Sequence, residues 1–259
     1  MDLQDYRSFI DRLLENLTPD PRVLGLIAVG SMAQRDTQPD DWSDHDFLVV
    51  VAPGAQEELR ARADWLPDHE RLVLRFRETA HGLKALYEHG HMIEFAVFDP
   101  EELHLGKFNR FRVLLDRADL QRRMEQIVAE TTAWSRSSAP DDAYAIGQVV
   151  TGVLVAYGRW VRGERLSARA FLVGQAAPQL VRLLARHVPV ERPDLLDNLD
   201  PLRRFDLVYE SLGAALNEVL DRPLPAAAAG LLDLAERELA ARMPRFPAAA
   251  VAAVRRRMA

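Results

Sequence analysis

The sequence predicts an α+β (α/β) first half followed by an all-helical second half. Three observations carry this. Short apolar runs of strand length recur between residues 23 and 116. From Asp141 onward the strand pattern stops, and alanine, leucine and arginine recur at helical spacing instead. Between the two textures, residues 135–140 are small and polar, the composition of an inter-domain linker. The predicted domains are therefore residues 1–135 and 141–259.

Taken in order, residues 2–16 place Leu3, Tyr6, Phe9, Ile10, Leu13 and Leu14 on one helical face, and Pro19 and Pro21 stop that helix. Residues 23–29 are almost wholly apolar, as in a strand covered on both sides. A second apolar strand reaches Val51 and ends at Pro53-Gly54. A short helix is expected over 56–65. Leu72, Leu74 and Phe76 then alternate with Arg71, Val73, Arg75 and Arg77, which predicts a third strand with one wet face. Residues 81–89 read as either helix or loop. Residues 91–98 form another strand, and 112–116 a short last one. A helix is expected over 120–132.

In the second half, Asp141-Asp142 can cap a long helix that ends near Gly163. Another starts at Ser167 and runs toward His187, with Pro178 expected to kink or split it. Pro201 opens a helix through Leu220, and 224–243 forms the last long one. The tail after Pro247 is given a turn or two.

Composition narrows the function. The 259 residues are 48% hydrophobic and 28% charged, which is ordinary globular usage. With no cysteine, disulfides, thiolate catalysis and Cys-ligated zinc are excluded, and a cytoplasmic location is expected. The acidic start has no apolar signal core, and no apolar run reaches membrane-spanning length. A net charge of −6 argues against a general nucleic-acid binder and suits a small substrate. No nucleic acid and no membrane are expected as partners.

The chemistry concentrates in residues 28–51. Gly30 permits a turn that other residues resist, and Ser31 offers a hydroxyl and an N–H to a phosphate. At the start of the second strand, Asp44 and Asp46 stand at i and i+2, so their carboxylates point the same way. Two like charges aimed at one point repel unless a cation lies between them. Mg2+ takes carboxylate oxygens together with substrate phosphates. Ser43 is a nearby second hydroxyl, and Arg35 is placed to neutralise a polyphosphate, or is a plain solvated charge. Glu94, on a mostly apolar strand with Ala96 and Phe98 on its face, needs a reason to be there. Strand, Gly-Ser turn, polar loop and Asp-x-Asp strand together suggest phosphoryl or nucleotidyl transfer.

This arrangement resembles the Gly-Ser…Asp-x-Asp signature of the polymerase-beta-like nucleotidyltransferase superfamily, and most of all the aminoglycoside and lincosamide antibiotic nucleotidyltransferases. The resemblance implies a catalytic domain with a mixed twisted sheet flanked by helices, followed by a helical bundle. It implies Asp44, Asp46 and Glu94 as metal and catalytic residues, Glu94 serving as ligand or as general base. Phe95, Ala96 and Phe98 around Glu94 suggest a partly dry site, and the general base is the expected role. Gly30, Ser31, Arg35 and Ser43 would hold the nucleotide, with Mg2+ as cofactor and a nucleoside triphosphate, ATP first, as co-substrate. Residues 162–169, at the join of two predicted helices, resemble a helix–Arg-Gly-Glu–helix join of the lincosamide enzymes. Met32 departs from the frequent basic residue after Gly-Ser, and the loop before Asp44 is longer than in the shortest versions.

Remaining candidates read as structural. His45 lies between the two aspartates and so points away from them. His89 and His91 are taken as surface or loop residues. Trp42 could stack on a ring, though loop packing is expected. Arg203 and Arg204 are placed in a helix's first turn, as a surface pair. The leading expectation is transfer of AMP from ATP to a hydroxyl of an aminoglycoside- or lincosamide-like small molecule, by an antibiotic-resistance type of enzyme that forms a homodimer. The alternatives are an antitoxin-type enzyme that modifies a protein and a non-catalytic nucleotide-binding regulator.

Overall fold

The computed structural model describes residues 3–33, 39–190 and 192–259. It divides into two compact units, Met1–Trp134 and Ser135–Ala259. The first is a mixed six-stranded sheet flanked by helices; the second is all helical. No helix among the described residues is long and apolar enough to cross a membrane.

In the first unit, helix α1 (Leu3–Leu17) turns Tyr6, Phe9, Ile10, Leu13 and Leu17 inward. Strands β1 (Val23–Val29) and β2 (His45–Val51) pair antiparallel around the Gly-Ser turn. Helix α2 (Gln56–Ala61) is shorter than expected, because Arg62 is already extended. Strands β3 (Leu72–Arg77), β4 (Gly82–Tyr87), β5 (Met92–Phe98) and β6 (Phe111–Asp116) complete the sheet, in the order β3-β4-β5-β2-β1-β6. Of the neighbouring pairs, β2 and β5 alone run parallel.

Side-chain alternation gives the sheet two buried faces. Phe47, Val49, Val51, Ile93, Phe95 and Val97 meet α1 and α2. Ile27, Leu48, Val50 and Phe98 meet Leu120, Met124 and Ile127 of helix α3 (Leu120–Ser138). Gly25 allows that close approach: a Cβ there would collide with Leu120 and stand 2.7 Å from the Leu115 carbonyl.

Two readings of this half change. The undecided segment 81–89 is strand β4, where Leu83, Ala85 and Tyr87 are buried on alternate positions. Its period of two is masked in sequence by glycine, lysine and histidine, which carry weak strand preference. Strand β3 does not keep one dry face: Val73, Leu74 and Phe76 are all exposed. Its register shifts between Leu72 and Leu74, and a bulge there breaks the alternation.

Helix α3 also runs through the expected linker as far as Ser138. The second unit follows with α4 (Asp142–Val161), α5 (Arg165–Phe171), α6 (Ala177–His187), α7 (Phe205–Val208), α8 (Glu210–Leu220), α9 (Leu224–Leu239) and α10 (Ala248–Met258). Pro178 splits its helix as expected. It has no N–H to give to the carbonyl four residues back, and a π turn at Leu172–Ala176 precedes it, with Ala177 N–H bonded to Leu172 O. The helix expected from Pro201 begins at Phe205 and breaks at Tyr209, and the tail forms a full helix. Arg204 has φ +65 and precedes α7, so Arg203 and Arg204 do not occupy a helix's first turn.

Asp141 caps α4 by accepting the Tyr144 N–H at 2.7 Å. Asp141→Ala is expected to cost about 1 kcal/mol of stability, the usual worth of such a cap, and chemical denaturation will measure it.

Candidate active site

The site begins with the parallel pairing of β2 and β5. Its register sets Asp46 beside Glu94, then Leu48 beside Ala96 and Val50 beside Phe98. Side chains in register share a face, so both carboxylates lie on the α3 side of the sheet, ahead of the apolar residues that α3 covers. Asp44 precedes β2 by one residue. One carboxylate oxygen from each of Asp44, Asp46 and Glu94 lies within 4.8 Å of the other two. The donor set is all oxygen and formally triply negative, which fits a hard divalent cation.

The Gly-Ser turn closes over this group. Residues Gly30–Ala33 form a 3-10 turn, and Gly30 has φ +56. A Cβ on Gly30 would collide with the Asp46 carboxylate, its Cγ only 3.0 Å away. Glycine is needed twice here, for its backbone angle and for the space Asp46 fills. Ser31 lends its backbone to the turn, while its side chain and Arg35 lie outside the described residues. Met32 is buried in the core of the first unit, which accounts for its apolar character.

Ser43 works locally: its hydroxyl donates to Asp40 Oδ1 at 3.0 Å and accepts the Asp40 N–H at 2.9 Å. Trp42, on the same turn, is 94% exposed and so has no loop packing, contrary to expectation.

Behind the acids is a buried aromatic support. Tyr6 of α1 donates its hydroxyl to the Asp44 carbonyl at 2.9 Å. The His45 ring stacks on Tyr6, 3.7 Å between centroids, and is wholly buried. Its Nε2 lies 2.9 Å from the Tyr6 carbonyl, which can only accept, so the proton is on Nε2. That leaves Nδ1 to accept from His91 Nε2, 2.7 Å away. His45 is structural, as expected. For His91 the surface reading is corrected: it is buried, in the residue just before β5, whereas His89 is exposed. Gly90 with φ +87 makes the tight turn that brings His91 inward.

Glu94 is not in a dry pocket. Its side chain is 43% exposed, and Lys84 of β4, its partner in register, stands 3.4 Å away. Phe95 points to the opposite face, toward Phe47 and Trp65. Sequence reasoning did not single out Lys84; the signal available was that only Lys84 and Lys107 are lysines among 33 Lys and Arg residues.

No protein-family model matches the sequence, and no curated protein matches it. Among solved structures the chain is similar to an aminoglycoside 6-adenyltransferase from Bacillus subtilis. That likeness has 14% identity and a TM-score of 0.31, covering 99% of this chain and 92% of the other. So thin a likeness leaves the functional reading to the site itself.

The support behind the acids depends on neutral imidazoles. Burial pushes His45 down to about 3, against the opposing hydrogen bond to Tyr6, and burial pushes His91 down to about 4. Unfolded, each would take a proton below about pH 6.5. Their stabilising contribution is therefore complete above that pH and is lost as the pH falls toward 4. Near pH 5 unfolding should take up about two protons through this pair, and His91→Gln should bring that to about one. Melting temperatures across pH 4.5–7.5 provide the check.

Proposed function

We propose that this protein is a Mg2+-dependent nucleotidyltransferase that moves a nucleoside monophosphate, AMP from ATP first, to a hydroxyl of a small molecule of aminoglycoside or lincosamide type. The convergence of Asp44, Asp46 and Glu94 beneath the Gly30 turn carries this reading.

Asp44 and Asp46 would hold the cation, with Glu94 as third ligand. A divalent cation bound there supplies charge neutralisation to the transferring phosphoryl group and a template for the attacking and leaving oxygens. The rest is the chain's own work. The turn at Gly30–Ala33 would offer backbone N–H groups to the triphosphate, and the Ser31 hydroxyl would join them. Arg35 would offset its charge.

In the transfer, the acceptor's hydroxyl oxygen bonds to the α-phosphorus and the bond to pyrophosphate breaks. The hydroxyl proton passes to a carboxylate. Glu94 has two oxygens, so use of one as a ligand leaves the other to take that proton. The grouping with both aspartates favours the ligand role, which the half-exposed setting of Glu94 also suits.

A cytoplasmic homodimer is part of the same proposal. Val161, Leu166 and Leu207 are exposed by 67%, 87% and 72%, apolar surface that a second copy could cover. Light scattering at micromolar concentration should give twice the chain mass, and a monomer removes this part.

The main test incubates the protein with each nucleoside triphosphate, Mg2+ and a panel of aminoglycosides and lincosamides. Mass spectrometry should find one acceptor heavier by one nucleoside monophosphate. Asp46→Asn should keep the fold and lower turnover roughly hundredfold or more, since a lost ligand removes several kcal/mol of charge stabilisation. Pyrophosphate release with every acceptor unmodified, or near-normal turnover in Asp46→Asn, overturns the reading.

A further inference from the structure

The sheet carries a row of charge across three adjoining strands. Lys84 of β4 is in register with Glu94 of β5, and Glu94 with Asp46 of β2. The Lys84 ammonium stands 3.4 Å from Glu94 and 2.7 Å from Glu78. Glu78 sits in the β3–β4 turn, its N–H bonded to the Gly82 carbonyl at 3.0 Å, and it takes no part in the three-acid group. Lys84 therefore has two carboxylate partners: one belongs to the candidate metal site, and the other does not.

The choice of lysine is informative. This chain uses arginine for 31 of its 33 cationic residues, and Lys84 is one of the two exceptions. Arginine grips a carboxylate through a planar fork, often with two parallel hydrogen bonds. An ammonium is a point charge on a flexible stem and can move from one oxygen to another by rotation alone. Elsewhere in this unit the forks are used for fixed joints, as where Arg62 holds both oxygens of Asp64 through Nε and Nη2. Beside Glu94 stands the side chain that lets go most readily.

We infer that Lys84 is a resident counter-ion of the three-carboxylate site, shared between Glu94 and Glu78 while no metal is bound and withdrawing wholly to Glu78 when a divalent cation enters. Metal entry is then an ion exchange. Lys84 offsets the repulsion among three acids in the metal-free protein, and by doing so it lowers the affinity of the site for a bare cation. A metal that arrives with a triphosphate brings its own negative charge, which the ammonium attracts. The site thereby favours the metal–nucleotide complex over the metal alone. This inference rests on the metal-site reading proposed above and adds the residue that regulates loading.

The test is calorimetric titration with MgCl2 alone, no nucleotide present, on the full chain and four variants. Lys84→Met should bind Mg2+ roughly tenfold more tightly than the native chain, the order expected when one partly screened like charge is removed. Lys84→Arg should bind more weakly than native, because the fork keeps its grip on Glu94. Glu78→Gln should also bind more weakly, because the ammonium loses its second seat. Lys84→Gln repeats the test with a polar side chain, should Lys84→Met fold poorly.

Thermal unfolding in EDTA gives an independent readout. The Lys84→Met protein should melt below the native chain without metal and recover more of its stability when Mg2+ is added. A structural lysine would lower affinity or leave it unchanged, and would not give opposite signs at Lys84 and Glu78. Native binding with Lys84→Met and Lys84→Gln equal or weaker overturns this inference and leaves the metal site standing. Absence of Mg2+ binding in every protein, at millimolar metal, overturns the metal site and this inference together.

Discussion

The parallel pairing of β2 with β5 is the constraint on which the candidate site depends. Every other neighbouring pair in the sheet is antiparallel. Parallel strands run from the same end, so residues in register near their starts deliver their side chains to one place. Here those residues are Asp46 and Glu94. Nothing in their own chemistry would bring two carboxylates together, because like charges side by side repel. The apolar residues that follow them supply the force. Leu48, Val50 and Phe98 pack under Leu120, Met124 and Ile127, and Phe47 stacks on Phe95 across the other face, 5.4 Å between centroids. Hydrophobic burial fixes the register, and the register fixes the acids.

The opposite face does a second job. His45 interrupts the two aspartates in sequence, yet its ring is buried between Tyr6 and His91. One residue of alternation separates a solvated carboxylate from a closed histidine pair. The hydroxyl of Tyr6 ties the Asp44 backbone to α1, so the position of an acid outside the strand is set by a helix 38 residues earlier. The Gly30 turn, packed against Asp46, completes this support from the third side.

Much of this was legible in the sequence for a physical reason. Asp44, Asp46 and Gly30 lie in one local stretch, where strand alternation and turn preference act directly. Glu94 could be singled out because an acid on an apolar strand conflicts with its neighbours. The misreadings came where the controlling partner is distant. His91 looks like a surface residue until His45 is placed next to it, and β4 looks like a loop until Leu83, Ala85 and Tyr87 have a helix to bury them. The bulge in β3 and the π turn before Pro178 are adjustments of register that no count of apolar residues detects. Lys84 was missed because its meaning lies in a neighbour ten residues away across a hairpin.

The scarcity of lysine has one more consequence, for observation instead of mechanism. Only two side-chain amines exist in the whole chain, Lys84 and Lys107, and the second is held over the Trp134 ring, 4.3 Å from its centre. Isotopic methylation of amines would thus give a spectrum of two side-chain signals. One would be shifted by an aromatic ring current, and the other would lie next to Glu94. The amino-acid usage of this protein places a nearly background-free reporter beside its most charged cluster, with no residue needing to be added or removed.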